Sequence, residues 1–189
     1  MNVALKYRET LFSPSEAETI TGLSLHLQRD WRSQGLLRAR EGGRASFTPR
    51  ELAEMRVMVR LRSLGLPLPQ VRTAAVLAAP SVILTALQDH QDATLKVEGP
   101  EEKALQYLDA LDRATDSGYL LTLAEVGSQK DVFRDAIVAD GECSLEPVLH
   151  EDVLDEDTEV AGIVNLWAVA RMIALATPRP LFILVPPRN

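Results

Sequence analysis

The chain has 189 residues, is 46% apolar and carries a formal net charge of −7. That is enough apolar material for one large core or two small ones, and a uniform acidic surface would exclude contact with nucleic acid. The charge is not uniform: residues 1–80 hold 12 Lys/Arg against 7 Asp/Glu, net +5, while residues 81–189 hold 8 against 20, net −12.

Residues 1–10 mix Lys6, Arg8 and Glu9 without an apolar stretch and do not read as a secretory signal. Ser13-Pro14-Ser15-Glu16 then predicts a helix start over residues 13–20, with a hydroxyl cap, a proline in the first turn and an early acid favoured by the helix dipole. Thr21-Gly22-Leu23-Ser24 ends it with a glycine able to take positive φ and a serine able to cap a second helix. Helix, tight turn and helix follow. On a helical wheel Leu27 and Trp31 share one side, expected to pack, while Leu25, Gln28, Arg29 and Arg32 share the other, expected to face outward.

Gly35 is the stop signal, and Leu36-Leu37 leads into a small hairpin that turns at Glu41-Gly42-Gly43 and returns through Ala45-Ser46-Phe47, a wing over residues 38–47. Thr48-Pro49-Arg50-Glu51 repeats the capped start before a helix over residues 52–64, where Arg56 and Arg60 lie one turn apart on what reads as an exposed face. Gly65 closes it. Residues 71–79 predict a further short helix ended by Pro80, and the module boundary is placed there.

Residues 100–114 predict a helix, with Glu101-Glu102 at its start and Leu105, Leu108 and Leu111 at regular spacing. Residues 94–97, 119–126 and 181–185 read as short strands and residues 160–175 as a buried helix, so the second part is expected to be α+β. The apolar stretch 160–187 is broken by Arg171, Pro178, Arg179 and Pro180; an Arg near a bilayer centre costs roughly 2.5 kcal/mol or more, so the stretch is core and no membrane partner is expected. Residues 151–159 carry six acids beside His150 without a glycine-turned loop or fixed ligand spacing, and read as solvated surface rather than a metal site. His90, with Asp89 and Asp92, reads the same way. Cys143 is the lone cysteine, which excludes an intramolecular disulfide and a thiolate cage and fits a reducing, cytoplasmic setting. No phosphate-cradling glycine loop, nucleophile elbow or His/Cys pair accompanies it, so neither enzyme activity nor a cofactor is expected.

The order of parts in the first third resembles the DNA-binding domain of the MerR family of bacterial transcriptional regulators. The resemblance rests on Thr21-Gly22-Leu23-Ser24 at the turn, Arg29 in the recognition helix, Gly35-Leu36-Leu37 at the exit, and Gly43, Phe47, Thr48 and Leu52 through the wing and next helix. Arg60-Leu61-Arg62-Ser63-Leu64-Gly65-Leu66, Leu68 and Val71 extend it to about residue 75. Two positions depart from the family: Asp30 and Trp31 stand where two aromatics are common, and Arg44-Ala45 replaces an aromatic-arginine pair. A long dimerisation helix and a cysteine-bearing effector domain are not legible after Pro80.

The resemblance implies a sequence-specific DNA-binding transcriptional regulator with a winged helix-turn-helix over residues 1–80, and it covers that half only; residues 81–189 read, from their own pattern, as an acidic α+β domain of unknown fold. The recognition helix, 24–34, would enter the major groove of double-stranded DNA with His26, Gln28, Arg29 and Arg32, and Ser24 would cap it and touch phosphate. Arg38, Arg40 and Arg44 in the wing would grip the backbone. Trp31 reads as core. One such module covers a half-site, so a homodimer through residues 81–189 is expected, with a protein partner or a small-molecule effector for the acidic part. Two rival readings compete. One is a phage-derived architectural factor resembling excisionases or small terminase subunits; the other is a protein-binding regulator whose DNA-binding module is degenerate, which Asp30 among the recognition residues keeps open.

Overall fold

The computed structural model describes residues 5–38, 45–115, 118–127, 133, 135–139, 142–146 and 161–187. In chain order the elements are β1 (Tyr7–Glu9), α1 (Pro14–Thr21), α2 (Leu25–Ser33), α3 (Pro49–Ser63), α4 (Leu68–Asp89), α5 (Gln91–Thr94), β2 (Leu95–Val97), α6 (Glu101–Thr115), α7 (Gly118–Leu123), β3 (Asp135–Ala139), β4 (Glu142–Glu146), β5 (Ala161–Asn165), α8 (Leu166–Ala176) and β6 (Phe182–Leu184). Helices dominate and two small sheets accompany them, an α+β composition.

Local chemistry sets the first helices. At the start of α1 the Ser13 hydroxyl accepts from the Glu16 N–H and the Glu16 carboxylate accepts from the Ser13 N–H, satisfying two donors that a helix end leaves open. Thr48 and Glu51 make the same reciprocal pair at the start of α3. The Glu16 carboxyl is held below its usual range, first by the Ser13 backbone hydrogen bond.

α4 departs from expectation, because Pro80 does not close it: the helix continues to Asp89 with Pro80 inside. A proline there removes the donor that would bond the carbonyl four residues earlier, that of Val76. Arg50, reaching across from α3, brings Nη2 to 3.5 Å from the Val76 carbonyl oxygen while its Nε bonds Glu54 at 3.2 Å and its Nη1 pairs with Glu125. Burial then holds the helix together beyond the proline, where every residue from Ser81 to Leu87 is buried. The same apolar character makes α4 long and apolar enough to cross a membrane by length and composition, yet 67% of that window is buried as core. A boundary drawn at residue 80 therefore falls inside a continuous helix.

Among the described residues both sheets are three-stranded; the first has order β1-β6-β2, with β1 antiparallel and β2 parallel to the central β6, and Tyr7 lies opposite Leu184 and Leu95 opposite Phe182. It joins the start of the chain, its middle and its last described strand. The second sheet, β4-β3-β5, is antiparallel throughout. Its strands β3 and β4 had no counterpart in the sequence reading.

Two elements differ in type from expectation. Residues 119–126, read as a strand, hold α7 and its exit turn, in which Glu125 takes φ 58. The buried helix read over residues 160–175 is strand β5 followed by α8, and Asn165 at the junction caps α8 by accepting from the Ala168 N–H at 2.9 Å. The strand read over residues 94–97 appears as β2, short by Thr94, which ends α5. The helix over residues 100–114 and the strand over residues 181–185 appear as α6 and β6 within one residue.

The core lies where α3, α4 and α8 meet, with α1 against α3 and α8. One hydrophobic cluster runs from Phe12, Ile20 and Leu23 through Leu52, Met55, Met58 and Leu61 to Leu84, Leu87, Ile173 and Phe182. Ala74, Ala75, Ala78 and Ala79 are buried along α4, and their small side chains allow neighbouring helices to approach closely.

Candidate nucleic-acid interface

The turn between α1 and α2 is fixed by short-range bonds. Gly22 adopts φ 77 and its N–H donates to the Glu18 carbonyl at 2.8 Å; the Thr21 hydroxyl donates to the Ala17 carbonyl at 2.6 Å and accepts from the Leu23 N–H at 3.1 Å. Ser24 then caps α2, its Oγ accepting from the Leu27 N–H at 3.3 Å. These bonds make a helix-turn-helix with a defined angle of entry into α2.

The face of α2 turned inward is not the expected one. Gln28, expected among the outward readers, is 1% exposed: its Nε2 donates to the Pro14 carbonyl at 3.0 Å and to the Leu23 carbonyl at 2.8 Å, tying α2 to the start of α1 and to the turn. Trp31 is buried as expected, and Leu27, expected beside it, is 42% exposed. The wheel was rotated by about one position, because the inward stripe follows the i, i+3 pair Gln28 and Trp31 rather than the i, i+4 pair Leu27 and Trp31.

The outward face of α2 carries Leu25, His26, Leu27, Arg29 and Ser33. The Arg29 Nε donates to the Leu25 carbonyl at 3.2 Å, and the His26 Nε2 lies 3.3 Å from the Asp30 carboxylate. Arg32 is half-buried, its guanidinium 5.3 Å from the Phe47 ring centroid in a cation–π contact that orders the side chain.

After α2, Gly35 takes φ 71 and the N–H groups of Leu36 and Leu37 both donate to the Trp31 carbonyl, at 2.8 and 3.3 Å. Arg38 is exposed, while Arg40 and Arg44 lie outside the described residues, as does the expected turn at residues 41–43. Phe47 exchanges two backbone hydrogen bonds with Phe12, at 2.8 and 2.9 Å, not with the strand expected at Leu36-Leu37. The return limb of the expected wing is thus anchored to the segment before α1.

Two arginines take roles the sequence did not signal. Arg56, read as exposed, is buried on α3 and its Nη1 donates to the Ile20 carbonyl at 3.2 Å, next to the α1–α2 turn. Arg179, from the loop before β6, stacks 5.2 Å from the Phe12 ring centroid and donates through Nη2 to the Leu11 carbonyl at 3.0 Å and to Glu16 at 2.8 Å. Both contacts join residues far apart in the chain, and nothing local to Arg56 or Arg179 announces them.

Among the described residues no group of three His, Cys, Asp or Glu is placed to hold a metal ion. His150 and the acidic run at 151–159 lie outside the described residues. A search of curated proteins found no match to the chain. Residues 12–75 match the family described as MerR HTH family regulatory protein, a segment that contains the capped α1, the turn, α2, α3 and the first part of α4. The amino-terminal part of this chain is thus similar to the helix-turn-helix domain of MerR-type regulatory proteins.

Proposed function

We propose that the protein is a sequence-specific transcriptional regulator that inserts α2 into the major groove of duplex DNA. The observation that carries this reading is the division of α2: Gln28 and Trp31 lock it against α1 and the core, leaving Leu25, His26, Leu27 and Arg29 exposed on the outer face, with Asp30 beside His26. Arg29 suits bidentate pairing with guanine, and the exposed leucines suit contact with thymine methyl groups. Arg32, steadied on Phe47, and Arg38 reach the flanking backbone together with Arg40 and Arg44, and Ser24 presents the N-terminus of α2 to a phosphate. Gln28 is assigned to the frame and not to base reading.

A single module covers one half-site, so tight binding calls for two copies, and we assign the pairing to residues 81–189. Selection of duplexes from a randomised pool at fixed salt tests the reading. Wild-type protein is expected to enrich an inverted repeat, and Arg29→Ala to lose about 1–3 kcal/mol of base discrimination at one position per half-site. Failure of the wild type to enrich any sequence at low salt would overturn it. A monomer in sedimentation at micromolar concentration would remove the dimer.

A further inference from the structure

A cavity of about 290 Å³ lies between the C-terminal half of α3 and the N-terminal half of α8. Arg56 and Arg60 stand on one side, Asn165 at the cap of α8 on another, and Val164, Val169 and Met172 supply an apolar wall. Arg56 is 7% exposed, and its Nε has no hydrogen-bond partner among the described residues. A guanidinium offers five donors, and a buried cation without a counter-charge is a costly arrangement unless something supplies one. No carboxylate is among the described residues that line the cavity. Burial, and after it the neighbouring Arg60, hold the Arg56 guanidinium below its usual range. The N-terminus of α8, whose dipole favours negative charge, borders the same space.

The geometry points to a binding site for a small organic carboxylate, its carboxylate taken by Arg56 and Arg60 and its hydrocarbon body laid against Val164, Val169 and Met172. Two cations and a helix N-terminus select an anion, and the apolar wall selects one with a hydrocarbon body over an inorganic ion. The site also adjoins the DNA-binding unit, because Arg56 is the residue that bonds the Ile20 carbonyl at the end of α1. An occupant that draws on the Arg56 guanidinium therefore acts on the α1–α2 turn. That consequence rests on the DNA-binding reading; the site itself does not.

Hexanoate and benzoate are titrated into the full-length protein by calorimetry in the absence of DNA, with hexanol and inorganic phosphate as controls at matched ionic strength. At least one carboxylate is expected to bind, with hexanol and phosphate failing to compete. Arg60→Gln, at an exposed position, should weaken binding by about tenfold, and Met172→Trp should abolish it by filling the cavity. Arg56→Lys, which risks the fold, is read only alongside these two. Absence of binding by both carboxylates, unchanged affinity in both surface variants, or equal competition by inorganic phosphate would overturn the proposal. Because DNA is absent, each of these results stands apart from success or failure of the duplex selection.

Discussion

Gln28→Leu separates framework from recognition on α2. Leucine approximates the volume of glutamine, so the substitution leaves little cavity, but it removes the hydrogen bonds to the Pro14 and Leu23 carbonyls. Each bond contributes about 1 kcal/mol net, and a buried carbonyl left without a partner adds to the loss. The wild-type Gln28 Oε1 is itself buried without a partner, so its removal offsets part of that penalty. The balance predicts destabilisation of about 2 kcal/mol, read as a lower urea midpoint at unchanged slope. At a temperature where the variant is still folded, its selected DNA sequence should match that of the wild type, since the side chain does not reach the outer face. Arg29→Ala should show the opposite pattern, with unfolding within about 0.5 kcal/mol of wild type and altered base preference. A Gln28→Leu protein that kept its stability and changed the bases it selects would refute the argument and return Gln28 to the reading face.

Arg179→Ala removes a cation–π contact, a bond to the Leu11 carbonyl and a half-exposed ion pair with Glu16, and should destabilise by about 1–2 kcal/mol in urea unfolding. Because the folded Glu16 carboxyl is held below its ordinary value near 4.5, its stabilisation is present above that value and is lost as pH falls through the lower folded value. Glu16→Gln should accordingly flatten the acid limb of the stability profile. Glu54 has the opposite sign: burial raises its carboxyl, so its contribution is fully present below the ordinary value and is lost as pH rises through the folded one. Glu54→Gln should therefore match wild type at pH 4 and be slightly more stable at pH 7, which a pair of melts decides. Pro80→Ala restores a donor for the Val76 carbonyl and relieves an interior proline, whose penalty of about 3 kcal/mol is reduced by the stiffening of the unfolded chain. A net gain of about 1 kcal/mol is expected, and a loss would show that the ring is needed for packing.

What was legible in the sequence is what depends on near neighbours. The caps at Ser13 and Thr48 pair with acids three residues on, Gly22 is required by its own φ, and α1 to α3 follow from these signals within three residues. What depends on distant partners was not legible. A glutamine and an arginine, Gln28 and Arg56, are buried because the carbonyls of Pro14, Leu23 and Ile20 are waiting for them, and no helical wheel contains that information. Pro80 read as a stop for the same reason: a proline ends an isolated helix, but packing on α3 and α8 can carry one through. Asn165 was a usable signal that went unread, since a cap residue inside an apolar stretch marks where β5 gives way to α8.

The division of charge at residue 80 is not a division of packing. α4 crosses it unbroken, β1 pairs with β6, and Arg179 grips the segment before α1. Basic and acidic parts have different surfaces over one interior. The advantage is positional: Phe12, held by Arg179 on one side, exchanges backbone bonds with Phe47, and Phe47 supports Arg32 of α2. The orientation of α2 is thus defined by contacts that begin in the last part of the chain. A helix-turn-helix cut free at residue 80 would keep its caps and its turn, because those are local, and would lose Arg179, β6 and the second half of α4 against which its core is packed. The local signals specify the shape of the helix-turn-helix, and the distal elements supply the contacts that hold it against the rest of the fold.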